Sequence, residues 1–166
     1  MFDKFGEFDS AEEINKAALK MRNEKNEESL LELCEENGID KEEAEDFMDE
    51  CIDELVNPLM AALGKLKVEK EDLKLTGVLN DWVDELRNMC MESEEFARAI
   101  RKKEKGLDGC IALTAETGYK NRVIVDRRIV KKTDQVKKII GDHEFSIGIP
   151  DKAERRKLAN EYYLGK

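Results

Sequence analysis

His143 is the single histidine of the chain, and it sits between two acids in Asp142-His143-Glu144. Neighbouring carboxylates favour the charged imidazolium, a setting suited to proton transfer. Adjacent residues project in different directions, however, so the tripeptide alone is not a catalytic constellation. The densest run of reactive side chains is KEEAEDFMDECID, residues 41–53. It holds Glu42, Glu43, Glu45, Asp46, Asp49, Glu50 and Asp53 beside one base, Lys41. Carboxylates this close could bind calcium, but an EF-hand loop needs a glycine at its sixth position, and this stretch carries a helical pattern instead. A di-metal carboxylate bundle would need Glu-x-x-His pairs, and the sequence has none. Cys34, Cys51, Cys90 and Cys110 are widely scattered, with no Cys-x-x-Cys pair. With one histidine they read as reduced, buried thiols rather than zinc ligands. No phosphate loop, G-x-G-x-x-G or nucleophile elbow occurs. The expectation is a protein without enzymatic activity, metal or cofactor.

The acidic run needs an element to display it. Asp40 stands where a helix cap would, and Ala44, Phe47, Met48, Cys51, Ile52 and Leu55 keep the spacing of one apolar stripe. The spacing predicts one helix over residues 41–55, with the seven acids forming a continuous outer face. Before it, Ser10 followed by Glu13 has the form of a capping box. Asn37-Gly38 marks a helix end, where glycine can turn left-handed. Pro58 starts or kinks a stretch whose apolar part closes at Leu66, and residues 67–75 read as a charged connector. Val78, Leu79, Trp82, Val83, Leu86 and Met89 predict the strongest helix. Ser93 caps a helix with Phe96, Ala97 and Ile100, and Gly106 and Gly109 flank the start of another, which Gly118 ends. Residues 122–125 and 144–150 are the strand-like pieces, separated by a basic helical segment. Asp151, after Pro150, caps a last helix.

These elements predict a mostly α fold: a compact helical domain of about six to eight helices with at most a small two-stranded β element near the C-terminus. The whole chain, 1–166, reads as a single domain. It comprises an acidic helical part over 1–66, the connector 67–75, and a helical core with a basic part over 76–166. Phe47, Ile52, Leu79, Trp82, Leu86, Phe96, Ile100 and Ile111 are the expected core. Hydrophobic residues make up 40% of the 166 and charged residues 41%, which suits a modest core. The longest apolar run, Leu59 to Leu63, is far short of a membrane span. The start, Met1-Phe2-Asp3-Lys4, has no secretion signal, so the expected location is the cytoplasm.

Net charge is −10, divided as −17 over residues 1–100 and +7 over 101–166. Either the two parts neutralise each other by packing, or they form two faces with different partners. The basic candidates are Arg101, Lys102 and Lys103, then Arg127, Arg128, Lys131 and Lys132. Clusters of this kind can neutralise phosphates, but with few interleaved aromatics they do not make a base-stacking platform.

SEEFARAIRKKEKGLDGCIA, residues 93–112, resembles the core of the PcfK-like family of conjugative plasmids and other mobile elements. Glu95, Phe96 and Ala97 match the first part of that core. Lys105, Gly106, Leu107, Cys110 and Ile111 match the second, with Gly106 in place of the usual serine. Ala159, Tyr162 and Tyr163 match the family's Tyr-Tyr near its C-terminal helix. Some members of the family are type II-A anti-CRISPR proteins that inhibit Cas9. The resemblance therefore implies a mobile-element or phage origin and a CRISPR effector, Cas9 above all, as the protein partner.

Charge pattern and resemblance agree. Cas9-type effectors hold nucleic acid in strongly positive channels. A helix rising ~1.5 Å per residue and carrying seven acids in thirteen positions has a linear charge of the same order as duplex DNA. The leading expectation is an inhibitor whose acidic face, Glu42 to Asp53, mimics nucleic acid. The alternative is a nucleic-acid-binding accessory protein that works through the basic C-terminal third. Either could be a homodimer.

Overall fold

The computed structural model describes residues 2–166. Ser10 opens the first helix through its Oγ, which accepts the Glu13 amide at 3.2 Å, while the Glu13 carboxylate accepts the Asp9 amide at 2.7 Å. Two amides that the first turn leaves without helical partners are satisfied in this way. α1 (Ala11–Asn23) is followed by α2 (Glu27–Glu36), which ends on Gly38 with φ +65°. α3 (Lys41–Met48) precedes α4 (Pro58–Asp72), where Pro58 takes the first-turn position that tolerates a missing N–H. α5 (Val78–Glu92), α6 (Glu94–Arg101) and α7 (Leu107–Lys120) follow. β1 (Val123–Ile124) pairs antiparallel with β2 (Ser146–Ile147), with α8 (Arg127–Val130) and α9 (Gln135–Ile140) between them. α10 (Lys152–Leu164) is capped by Asp151, whose Oδ1 accepts the Glu154 amide at 2.8 Å. The fold is mostly helical with one small two-stranded sheet near the C-terminus. Among the described residues there are ten helices, of which only α8 and α9 are shorter than eight residues.

Two apolar clusters hold the helices. The first gathers Ile14, Leu30, Leu33, Phe47, Leu55 and Ala61, from α1 to the start of α4. The second gathers Leu66, Leu86, Phe96, Ile100, Leu107 and Tyr163, from α4 to α7 and from α10. Each fully buried large aliphatic or aromatic side chain contributes ~1.5–3 kcal/mol. α4 belongs to both clusters. Ala61, Ala62, Gly64, Lys65 and Leu66 are all buried on it, while Lys67 and Glu71 mark its exposed edge. Where α2 ends, Asn37 and Gly38 lie directly on the backbone of Gly64, and a Cβ on either glycine would collide with the facing carbonyl group.

Several expectations change. The predicted helix over 41–55 stops at Met48. The Cys51 amide bonds Asp46 O at 2.8 Å, the Glu50 amide bonds Phe47 O at 3.3 Å, and Glu50 turns to φ +59°. That is a Schellman stop with glutamate in the glycine position. Cys51 thereby leaves the apolar stripe and is exposed, whereas Cys34, Cys90 and Cys110 are buried as expected. The expected connector 67–75 is helical through Asp72, because its lysines and acids are good helix formers and Glu69 is buried against the core. Gly118 does not end α7. It lies inside the helix, where a Cβ would stand 2.6 Å from Gly148 O and 2.9 Å from Pro150 Cδ. Of the predicted core, Phe47, Trp82, Leu86, Phe96 and Ile100 are buried, while Ile52, Leu79 and Ile111 are half-buried. Trp82 belongs to neither cluster, and its Nε1 has no hydrogen-bond partner.

Candidate functional site

α3 displays the first four acids of the quoted run, and the turn after it displays the rest. Ala44 and Phe47 are the buried residues of this helix, so Glu42, Glu45 and Asp46 face outward. Glu43 is half-buried, and Asp49, Glu50 and Asp53 are exposed beyond the Glu50 turn. The acids therefore share one surface but not one helix face, and a single continuous rod of charge is not formed. Glu45 pairs with Lys41 at 3.0 Å, and this contact raises the lysine pKa. Among the described residues, Glu42, Glu43, Asp46, Asp49, Glu50 and Asp53 stand in no ion pair.

The acids of the rest of the chain differ, because many are engaged by bases. Arg98 bonds Glu12 at 2.6 Å and Glu94 at 2.9 Å. Lys102 bonds Asp9 at 3.0 Å, and Lys103 lies 3.8 Å from Glu13. Arg156 and Lys152 both hold Glu85, at 2.7 and 3.1 Å. Packing thus cancels part of the charge contrast between the two halves and leaves the surface from Glu42 to Asp53 uncancelled.

The basic candidates divide. Arg101 is not a surface residue. It is 1% exposed, its Nη2 donates to Asn37 Oδ1 at 2.5 Å, and its guanidinium lies 5.6 Å from the Phe2 ring centre. Its Nε and Nη1 have no partner, and burial pushes its pKa down to about 10. Lys102 and Lys103 are engaged by Asp9 and Glu13, so the expected 101–103 cluster offers no free phosphate-binding surface. Arg127 donates to Asp142 at 2.7 Å and Arg128 to Asp126 at 2.9 Å. Lys131 and Lys132 are exposed with no ion pair among the described residues.

No family model, curated protein or solved structure matches this chain. The residues that carry the resemblance have a packing role. Phe96, Ala97, Leu107, Cys110, Ala159 and Tyr163 all belong to one apolar cluster. The Phe96 and Tyr163 rings meet edge to face at 5.6 Å, and Tyr162 packs on Tyr163 at 4.8 Å. Gly106 is the cap residue of α7.

Sequence reasoning missed a buried charged group between the two clusters. Lys65 is fully buried, and its Nζ lies 2.5 Å from Glu7 Oε1, 2.7 Å from Lys102 O and 3.8 Å from Glu69 Oε1. Glu69 Oε2 accepts the Leu107 amide at 3.0 Å, which caps α7 from outside. Three positional signals were present. Lys65 interrupts the apolar run from Ala61 to Leu66, Glu69 follows it at i+4, and Arg101 stands four residues beyond Ala97 on the apolar phase. The described residues contain no acid, histidine and cysteine group able to hold a metal.

Burial raises the Glu69 carboxyl from 4.5 to about 7, against the opposing pull of Lys65 and the Leu107 amide. The native state therefore keeps a proton that the unfolded chain releases first. This contribution is complete below pH ~4.5, declines as pH rises toward ~7, and is absent above. Glu69→Gln keeps an oxygen for the Leu107 amide and removes the titration. Denaturant melts should show the variant and the parent alike near pH ~4.5, with the variant more stable by ~2–3 kcal/mol near pH ~8. Identical pH slopes for the two proteins would show that Glu69 is ionised at neutral pH in the native state.

Proposed function

We propose that the chain is a non-enzymatic binding protein whose acidic surface, Glu42 to Asp53, occupies the basic nucleic-acid channel of a protein partner. One observation carries the reading. Six of the seven acids stand in no ion pair among the described residues, and they lie within twelve positions of chain with no base between them, so their field reaches the solvent from one patch. The PcfK-like resemblance makes a CRISPR effector, Cas9 above all, the partner. Such effectors hold nucleic acid through positive channels and read the PAM with arginines, and this surface offers carboxylates to the same groups. The break at Glu50 makes the mimicry one of charge and spacing over a short patch, not of a long duplex.

Replacement of Glu42, Asp46, Asp49 and Asp53 by lysine tests the reading. All four are exposed, so the thermal melt should stay close to the parent's. Inhibition of DNA binding or cleavage by the effector should be lost. For the parent, affinity should fall with added salt, because exposed charges are screened over ~8 Å at physiological ionic strength. A comparison variant reverses Arg127, Arg128, Lys131 and Lys132 to glutamate and should still inhibit. Loss of activity only in that second variant, with direct binding of DNA or RNA by the parent, would replace this reading with the nucleic-acid-binding accessory protein.

A further inference from the structure

The segment between α7 and α10 is built unlike the rest of the molecule. Of the eleven large hydrophobic residues that are exposed among those described, seven lie between Tyr119 and Ile149. The β1–β2 ribbon shows why. Both residues of β1, Val123 and Ile124, are exposed, Ile124 at 65%, while Gly148, just past β2, rests against the backbone of Gly118 on α7. Ile147 and Ile149 stand one residue either side of Gly148, and Val123 is the cross-strand partner of Ile147. These three are 45%, 58% and 67% exposed. On the helices that the ribbon encloses, Ile129 is 59% exposed and Ile139 83%. Lys131, Lys132, Lys137 and Lys138 flank them, exposed and without ion pairs among the described residues. Exposed apolar side chains concentrated in one segment beside free lysines point to an interaction site. The exposed residues are mostly β-branched aliphatics, which suit an apolar protein surface better than stacked bases.

We propose that this segment docks on the acidic patch of a second copy of the chain, in a head-to-tail contact. The charges are complementary. Residues 121–149 carry seven bases and four acids, net +3, while residues 42–54 carry eight acids and no base, net −8. The acidic patch also offers apolar surface among its carboxylates, with Cys51 exposed and Met48 and Ile52 half-buried. Two copies of the basic segment facing each other would oppose lysine to lysine, so a two-fold contact through it is disfavoured. Unlike patches leave one free acidic end and one free basic end in every open assembly, which grows or closes into a ring. The contact requires no other protein, so it stands apart from the reading of the acidic surface as an effector ligand. It covers the same carboxylates, and self-association and partner binding therefore compete.

Sedimentation of the parent over a concentration series at low salt should show mass above one chain, weakening at least about tenfold as salt is raised. One variant reverses the basic segment, with Lys131, Lys132, Lys137 and Lys138 changed to glutamate. The other neutralises the acidic patch, from net −8 to 0, with Glu42, Asp46, Asp49 and Asp53 changed to lysine. Each alone should remain a monomer where the parent associates. An equimolar mixture should associate again, because the intact acidic patch of one variant meets the intact basic segment of the other. Cys51 is the only exposed thiol among the described residues and reports the contact directly. Its alkylation should slow as the parent is concentrated and should not slow for either variant alone. A parent that stays monomeric at low salt, or a mixture that stays monomeric, overturns the proposal. So does association that both variants leave intact. Binding of the monomeric parent to DNA, RNA or anionic vesicles through the four lysines would assign the segment to that partner instead.

Discussion

Gly64→Ala should destabilise the protein by about 3 kcal/mol or more, although in a solvent-exposed helix the same change stabilises by ~1 kcal/mol. The sign is the test. Gly64 lies in the middle of α4 with ordinary helical geometry, so nothing in its own backbone requires glycine. Its neighbour requires it. The Asn37 carbonyl sits where the new methyl group would go, and Gly38 approaches from the same side with φ +65°. The obstacle is backbone, which cannot rotate away like a flexible side chain. Moving it would shift the end of α2, and with it Asn37, which bonds Leu33 O at 2.8 Å and Arg101 at 2.5 Å. Chemical denaturation read through Trp82 fluorescence gives the change in midpoint. A variant as stable as the parent or more so would show that α2 and α4 are not in contact at this crossing.

The crossing also marks where the sequence stops being legible. Local signals read well. Ser10, Ser93 and Asp151 all accept the amides expected of caps, and Asn37-Gly38 ends a helix as its residue types dictate. These features depend on neighbours within a few positions. The spacing predicts a helix over 41–55 because the apolar pattern continues past the point where the chain turns. Ile52 and Leu55 still pack inward, but they do so from a non-helical segment, and no residue type at Glu50 announces the turn. Gly118 reads as a terminator because glycine commonly ends helices. Its role is set by Gly148, thirty positions away, and Gly64 likewise owes its place to the Asn37 carbonyl that faces it. Of the candidate site, the acids were legible as exposed charge, because Ala44 and Phe47 define the buried side of α3. Which bases were free was not legible. Lys102 and Lys103 look like Lys131 and Lys132 in sequence, and only the packing of α6 beside the N-terminal segment engages the first pair.

Arg101 gives the second large effect, and the choice of replacement decides its size. Arg101→Ala should cost ~2–5 kcal/mol, because truncating a fully buried long side chain leaves a cavity between the two clusters. Arg101→Met keeps most of that volume and removes the charge, and should lie within ~1 kcal/mol of the parent. The charge itself is costly here. Burial depresses the guanidinium to about 10 from 12.5, so the native state disfavours the ionised form that the unfolded chain carries. That cost is present at every pH below about 10 and disappears only as pH rises toward the unfolded value, so at neutral pH the native state bears it in full. Two of the three guanidinium nitrogens have no partner, and the single bond to Asn37 does not offset this. Removing it leaves Asn37 Oδ1 unpaired, a loss of ~1–3 kcal/mol that balances the relief of the buried charge. Thermal melts of the two variants side by side separate volume from charge. If methionine proves as damaging as alanine, Arg101 stabilises the fold through its charge, and Glu7 and Glu69 are then the groups that compensate it, with loss of either carboxylate expected to reproduce the defect.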